Sequence, residues 1–407
     1  MLINAPAPDG LVVHLLSQID GEIEKKPVDQ QASVQAIEAQ ALEVADRFAA
    51  FVKATTKTLD ICIYDFRLAL PAVRQKIIEA INDAAARGVT VRVAFDANQK
   101  SDEEIIKQFK GSGGDPAPTG THLFIQTELQ PAVETKAIAE QEASAPPSTA
   151  VAHESIAPGS QIMHQKYLIA DAGTDDAAVW MGSANFTVDA WALQDNNIAI
   201  ISSRDLADRY TQDFEELWKS EKLTHTGEGD RGSVTVGGLE VRYAFAPGEG
   251  EAIRDLLVEI VSGAERRIRI ASMVTSSKEI LEALKQRIDA GVDFAGVYDY
   301  GQSTQFLPGW EAKPETAEKA KLLKAVLAHL APKHSLFFDE DHPDYAHDFM
   351  HNKLLVADDT ILTGSFNFST NAMRNAENVI SLTEPKLADA LADYVEGLAK
   401  RYGTASA

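Results

Sequence analysis

Cysteine is nearly absent from this chain. Cys62 is the single one in 407 residues, which excludes an intrachain disulfide framework and any metal site built from clustered cysteines. Set within the apolar stretch "LDICIYDF", it reads as a core residue rather than a reactive thiol. Long apolar runs are missing too. None approaches the roughly 18 residues that a membrane helix needs, and the opening "MLINAPAPDGLVVHLLSQIDGEIEKKPVDQ" has neither a basic start nor a small-residue cleavage site. The expectation is a cytoplasmic protein with no stable membrane insertion. Positive charge is scarce: 38 Lys and Arg stand against 61 Asp and Glu, a net charge of -23. Polyanions are gripped mainly through Lys and Arg on phosphates, and no basic run is present, so tight nonspecific nucleic-acid binding is disfavoured. An acidic surface serving solubility and a locally positive cleft inside an acidic shell both satisfy that balance. Outside the motifs described next, no His, Asp and Glu residues cluster at ligand spacing, so neither metal nor cofactor is expected.

What the chain does have is one text written twice. "MHQKYLIADAGTDDAAVWMGSANFT" begins at Met163, and "MHNKLLVADDTILTGSFNFS" begins at Met350. The surroundings repeat as well. Helix-patterned "ALEVADRFAAFVKATT" leads to strand-like "TLDICIYDF", then to an amphipathic helix and "VTVRVAFDAN"; the second half runs through "EAIRDLLVEIVSGAE", "RRIRIASMV", "KEILEALKQRIDAG" and "VDFAGVYDYG". Gly88 precedes Asp96 by eight residues, as Gly291 precedes Asp299. Each signature runs on into an apolar strand and a closing helix. Strands alternating with helices predict an α/β fold with parallel or mixed sheets covered on their faces. The chain therefore divides into two tandem repeats, 1–227 and 228–407, with the seam in Gly-rich "THTGEGDRGSVTVGGLEV". The Ala-, Pro-, Ser- and Glu-rich stretch at about 130–159 is expected to be a mobile insertion, and because it feeds into the first signature it has the place of a lid.

The residue types define a chemistry. On a strand, residues i and i+2 share a face, so His164 points with Lys166, and His351 with Lys353. A Gly-Ser turn follows, bringing Ser183 and Asn185, or Ser365 and Asn367. An imidazole, an ammonium, a hydroxyl and an amide on one edge make a cradle for phosphate oxygens. Two facing edges supply a nucleophile and a general acid on opposite sides of phosphorus. Ten residues beyond Asn185 and Asn367 stand Asp195 and Glu377, each followed by asparagine, Asn196 and Asn378. Trp191 and Met373, six beyond the same asparagines, suit either an apolar pocket or plain packing.

These residues resemble the phospholipase D superfamily, whose signature is His-x-Lys-x4-Asp followed by Gly-Ser-x-Asn, twice per active site. The resemblance spans both repeats. It implies a tandem pair of phospholipase D-like α/β sandwiches packed about a pseudo-two-fold axis, and metal-independent phosphodiester transfer through a phosphohistidine. By position His164 looks like the nucleophile and His351 the acid/base. Lys166, Lys353, Asn185 and Asn367 would hold phosphoryl oxygens, with Ser183 and Ser365 supporting the turn, and Asp195 and Glu377 would orient the histidines. Asp171 and Asp358 are more often structural in this family. One departure is a longer interval between Asp171 and Gly182, ten residues against five between Asp358 and Gly364, which lengthens a hairpin. The implied substrate is a phosphodiester, with a phospholipid favoured and nucleic acid or phosphatidyl transfer as alternatives. The implied state is a monomer with its repeat interface inside the chain.

Overall fold

The computed structural model of the chain describes residues 2–19, 31–68, 70–96, 129, 132–139, 161–335 and 347–403. Two eight-stranded mixed sheets carry the architecture. In chain order the first contains β1 (Leu2–Ala5), β2 (Leu11–Leu16), β3 (Thr58–Ile63), β5 (Thr90–Asp96), β6 (Glu134–Ile138), β7 (Lys166–Ala170), β8 (Ala178–Gly182) and β10 (Asn196–Ser202). Two-residue strands β4 (Phe66–Arg67) and β9 (Phe186–Thr187) pair separately beside it. The second sheet contains β11 (Arg231–Val236), β12 (Leu239–Ala246), β13 (Arg267–Ser272), β14 (Asp293–Asp299), β15 (Ala331–Lys333), β16 (Lys353–Ala357), β17 (Thr360–Gly364) and β18 (Glu377–Thr383).

Spatial order is the same in both: β1-β2-β10-β8-β7-β3-β5-β6 and β11-β12-β18-β17-β16-β13-β14-β15. Parallel pairs β3/β5 and β13/β14 are bridged by helices Pro71–Ala86 and Lys278–Asp289, because a parallel pair needs a crossover longer than a turn. The signature strands β7 and β16 lie mid-sheet and are buried at all five positions, which explains their unbroken apolar text after the lysine.

Three apolar cores result. One lies between the first sheet and helices Gln31–Ala54 and Pro71–Ala86, where Phe48 meets the edges of Trp180 and Phe186. A second lies under helices Gly250–Gly263, Lys278–Asp289 and Pro314–Leu327. The third belongs to both halves. Tyr167, Met181 and Tyr210 from the first half pack in one cluster with Leu354, Ile380 and Leu391 from the second, along helices Arg204–Ser220 and Pro385–Gly403. The halves are also stitched by parallel bridges Met163 to Ala376 and Asp195 to Met350. This is the tandem α/β pair that the repeated text implied.

The composition-biased stretch departs from expectation at its start. Ala137 and its neighbours form β6, which pairs in parallel with β5 from Glu134 to Ile138, so backbone pairing overrides the low apolar content there. The rest of that insertion, 140–159 with 130 and 131, lies outside the described residues. Among the described residues no helix is long and apolar enough to cross a membrane.

Candidate active site

The two histidines stand just before β7 and β16, where the halves meet. Their ring centroids are 6.5 Å apart. Each is held from behind through its preceding residue: Asp96 accepts the Met163 N–H at 2.6 Å, and Asp299 accepts the Met350 N–H at 3.1 Å. The backbone of each histidine is anchored on the opposite half. His164 N–H donates to Ala376 O at 2.9 Å, and His351 N–H to Asp195 O at 3.1 Å. Each histidine's backbone is thus positioned by the backbone of the other repeat.

Lys166 and Lys353 turn back over the histidines, as the two-residue strand period requires. Lys166 Nζ donates to His164 O at 2.7 Å, and Lys353 Nζ to His351 O. Both ammonium groups are buried, 1% and 0% exposed. Burial brings Lys166 down to about 7 against the pull of Glu377, and pushes Lys353 well below its ordinary value. Burial and the two lysines likewise push both imidazoles down. Four nitrogen bases crowd one dry space, an arrangement that an incoming phosphate anion relieves.

Glycine is required where each signature strand turns. A Cβ on Gly182 would stand 2.3 Å from Asn197 O, and one on Gly364 2.1 Å from Asn378 O. Ser183 and Ser365 then lock the turn: their N–H groups donate to Asn197 O and Asn378 O, and their hydroxyls accept the N–H of the same two asparagines. Asn185 and Asn367 follow, each with a buried Oδ1 that has no partner among the described residues. An amide oxygen accepts, so these two atoms call for a donor, and it is the Nδ2 of each amide that could donate to a substrate oxygen.

The groups behind the imidazoles differ from expectation on one side. Glu377 Oε2 is 2.8 Å from His164 Nδ1 and also accepts from Ser365 Oγ, while Oε1 accepts from Asn375 at 3.2 Å. Burial pushes this carboxyl up to about 8, opposed by Lys166, Ser365 and Asn375. Asp195, however, does not reach His351. Its carboxylate takes the Lys333 ammonium at 2.7 Å, the Tyr402 hydroxyl at 2.9 Å and the Gln18 N–H at 3.1 Å, and Asn196 Oδ1 stands 3.0 Å from His351 Nδ1 instead. The physical reason is one extra residue. Asn185 to Asn197 spans twelve positions and Asn367 to Asn378 eleven, so Asn196 lands opposite Glu377 and Asp195 is displaced by one to the other side of the strand. Counting back from the turn-closing Asn197 and Asn378, rather than forward from Asn185 and Asn367, would have found this pairing in the sequence.

The signature aspartates lie away from this centre. Asp171 is at the far end of β7, about 16 Å of strand from Lys166, where its carboxylate accepts the N–H groups of Thr56, Lys57 and Thr58. Asp358 does the same for Glu265, Arg266 and Arg267. Both adopt positive φ, 51° and 52°, at turns that short polar residues tolerate. They pin the entry to β3 and β13. Trp191 is fully buried beneath the first sheet against Phe186, and Met373 packs on the second sheet's outer core beside Gly250; packing, not a pocket wall, is their place.

Besides Asn196, sequence reasoning missed several contributors. Tyr64 lays its ring 5.1 Å from His164 and 5.2 Å from Lys166 Nζ. Lys333 neutralises the buried Asp195. Asp96 and Asp299 were visible as repeat landmarks, but their bond to the residue before each histidine was not.

Comparison with known proteins bears on the family and the fold. The family described as "Cardiolipin synthase, PLD-like domain" matches residues 49–218 and 257–399. The chain belongs to the phospholipase D superfamily. Among solved structures, phosphatidylserine synthase from Haemophilus influenzae Rd KW20 is similar over 89% of this chain and 85% of its own, at 12% identity and a TM-score of 0.56. Polyphosphate kinase from Porphyromonas gingivalis matches 88% of this chain and 45% of its own, at 12% identity and a TM-score of 0.50. The family member Nuc from Salmonella typhimurium covers 40% of this chain and 95% of its own, at 22% identity and a TM-score of 0.30. At these identities the likeness is one of fold. No curated protein matches the sequence.

Proposed function

We propose that the protein is a metal-independent phosphodiesterase of phospholipase D type, acting in two steps through a phosphohistidine. The observation that carries this reading is the pair of imidazoles from opposite halves, 6.5 Å apart, each with its Nδ1 engaged by a buried side chain. Engaging Nδ1 leaves Nε2 as the working nitrogen on both rings. One ring attacks phosphorus while the other protonates the departing oxygen, and the second then draws a proton from water as water displaces the first. Lys166, Lys353, Asn185 and Asn367 hold the non-bridging oxygens, the lysines supplying the charge that a metal supplies in other phosphodiesterases.

A phospholipid is the favoured substrate. The chain's net charge of -23 and its lack of basic runs suit a headgroup diester better than a long polyanion. The test is turnover in excess EDTA on headgroup-labelled phospholipid vesicles, with and without a primary alcohol, and on single- and double-stranded DNA. Headgroup release that survives EDTA supports the reading. Formation of a phosphatidyl alcohol as the main product would make it a transferase, cleavage of DNA alone would make it a nuclease, and a strict chelator-reversible metal requirement would refute the mechanism.

A further inference from the structure

The end of β3 extends its ladder onto the residue between the first signature's histidine and lysine. Ile63 pairs with Lys166, and the Tyr64 N–H donates to Gln165 O at 2.9 Å. Tyr64 is thereby set against both functional groups: its ring centroid is 5.1 Å from that of His164 and 5.2 Å from Lys166 Nζ, which lies over the ring. The second half repeats this backbone with a different side chain. Ser272 pairs with Lys353, and the N–H that donates to Asn352 O, at 3.1 Å, belongs to Met273. Among the described residues no Phe, Tyr or Trp ring lies under the Lys353 ammonium. Resting on the reading of this site as a phosphoryl cradle, we infer that Tyr64 is a positioning residue for the reaction: its ring face holds the Lys166 ammonium beside His164 and makes the first half's lysine the firmer of the two phosphoryl anchors.

An aromatic face attracts a cation through its quadrupole, and the attraction grows as water is removed. Lys166 is 1% exposed, while Tyr64 is half-buried, so the ring covers the ammonium within a dry setting. An ammonium has three hydrogens to give. Among the described residues Lys166 Nζ gives one, to His164 O at 2.7 Å. A ring face attracts the charge without claiming a hydrogen as a carboxylate would, which leaves the others for phosphoryl oxygens.

The charged and titratable groups around Lys166 leave its proton finely balanced. Burial opposes the charge and brings the group to about 7, against Glu377 behind His164, Asp65 beside Tyr64, Asp96 at the end of β5 and the Cys62 thiol. Lys353 and the His351 ring face it from the second half, and His164 from its own; burial pushes all three down, with Lys166 adding to the effect on each. With the lysine poised near neutrality, a ring contributing about tenfold to the protonation equilibrium decides whether the ammonium is held there.

The experiment uses the full chain and reads anion binding rather than turnover. The probe is inorganic sulfate, which carries the same charge on both sides of neutrality, and its affinity is followed against pH by titration calorimetry. Affinity falls as Lys166 loses its proton. Tyr64→Met puts the second half's side chain on the same backbone; it should move that fall down by about one pH unit, leaving sulfate about tenfold weaker on the alkaline side and unchanged on the acidic side. Tyr64→Phe keeps the ring and should titrate as the wild type. A wild-type profile in Tyr64→Met would overturn the inference, and so would an equal loss at every pH, the mark of a merely structural role. A Tyr64→Phe profile matching that of Tyr64→Met would overturn it too, by assigning the effect to the hydroxyl. Should Tyr64→Met fail to fold, Tyr64→Leu carries the same test. Absence of turnover on every phosphodiester would sink the proposed activity while leaving this profile intact, so the two failures are told apart.

Discussion

Asp195→Asn and Glu377→Gln should fail in opposite ways. Asp195 and Lys333 are buried to 0% and 2% exposure and form an ion pair at 2.7 Å. The substitution is isosteric, so no cavity opens; what is lost is the charge opposite a buried ammonium. Removing one partner of such a pair costs about 3–5 kcal/mol. Lys333 keeps Phe349 O at 3.2 Å, which points to the lower end of that range. His351 keeps Asn196, so catalysis by the folded protein should fall less than about tenfold. At Glu377 burial lifts the carboxyl to about 8, a sign that its surroundings work against its charge, so an amide there should cost little stability. Activity, by contrast, should fall by about two to four orders of magnitude, since His164 loses the partner that sets its tautomer and stabilises its cation. Urea unfolding followed by tryptophan fluorescence gives the first quantity, and turnover of a p-nitrophenyl diester well below the transition gives the second. If Asp195→Asn proves stable but inactive, Asp195 orients a histidine after all and the geometry described here is wrong.

Other perturbations read out separate parts of the structure. His14 is buried with Nδ1 2.7 Å from Asn4 Oδ1, and burial with Arg47 nearby lowers its pKa to about 4, opposed by Glu43. Because the unfolded chain binds that proton first, the contribution is complete above about pH 6.5 and is lost as pH falls toward 4, at most about 3 kcal/mol; His14→Gln should flatten the pH dependence of urea stability in that window, and an unchanged slope would show that His14 is not its source. Gly182→Ala drives a methyl into Asn197 O and should cost about 2 kcal/mol or more with loss of activity, checked by unfolding and turnover together; a stable, active variant would contradict the turn geometry. Cut at the proposed seam, neither 1–227 nor 228–407 should turn over substrate as a monomer, and each should aggregate through its exposed share of the common core; activity in a half shown to be monomeric by light scattering would refute this.

Much of the site was legible because duplication removes chance from short motifs. His-x-Lys, Gly-Ser-x-Asn and the strand period together placed His164, Lys166, His351, Lys353, Ser183 and Ser365 around one space. The sheets followed from alternating helix and strand text, down to the parallel β3/β5 and β13/β14 pairs. What the text concealed was register. A single extra residue between Asn185 and β10 exchanges Asp195 for Asn196 behind His351, and side-chain direction reverses at every residue of a strand. Partners set by tertiary folding were hidden as well: Lys333 meets Asp195 across 138 residues, and Tyr64 meets His164 only because β3 and β7 pair. β6 escaped notice because its apolar content is low and its pairing to β5 supplies the order.

One composite site, rather than one site per repeat, is the centre of this account, and the most direct measurement is kcat for His164→Ala, His351→Ala and the double variant on a diester that needs leaving-group protonation. Both histidines serve the same phosphorus, so each single variant should lose about as much as the double, all falling to the same floor. Two independent sites would instead leave each single variant near half of the wild-type rate and only the double variant inactive, and that result would contradict the account.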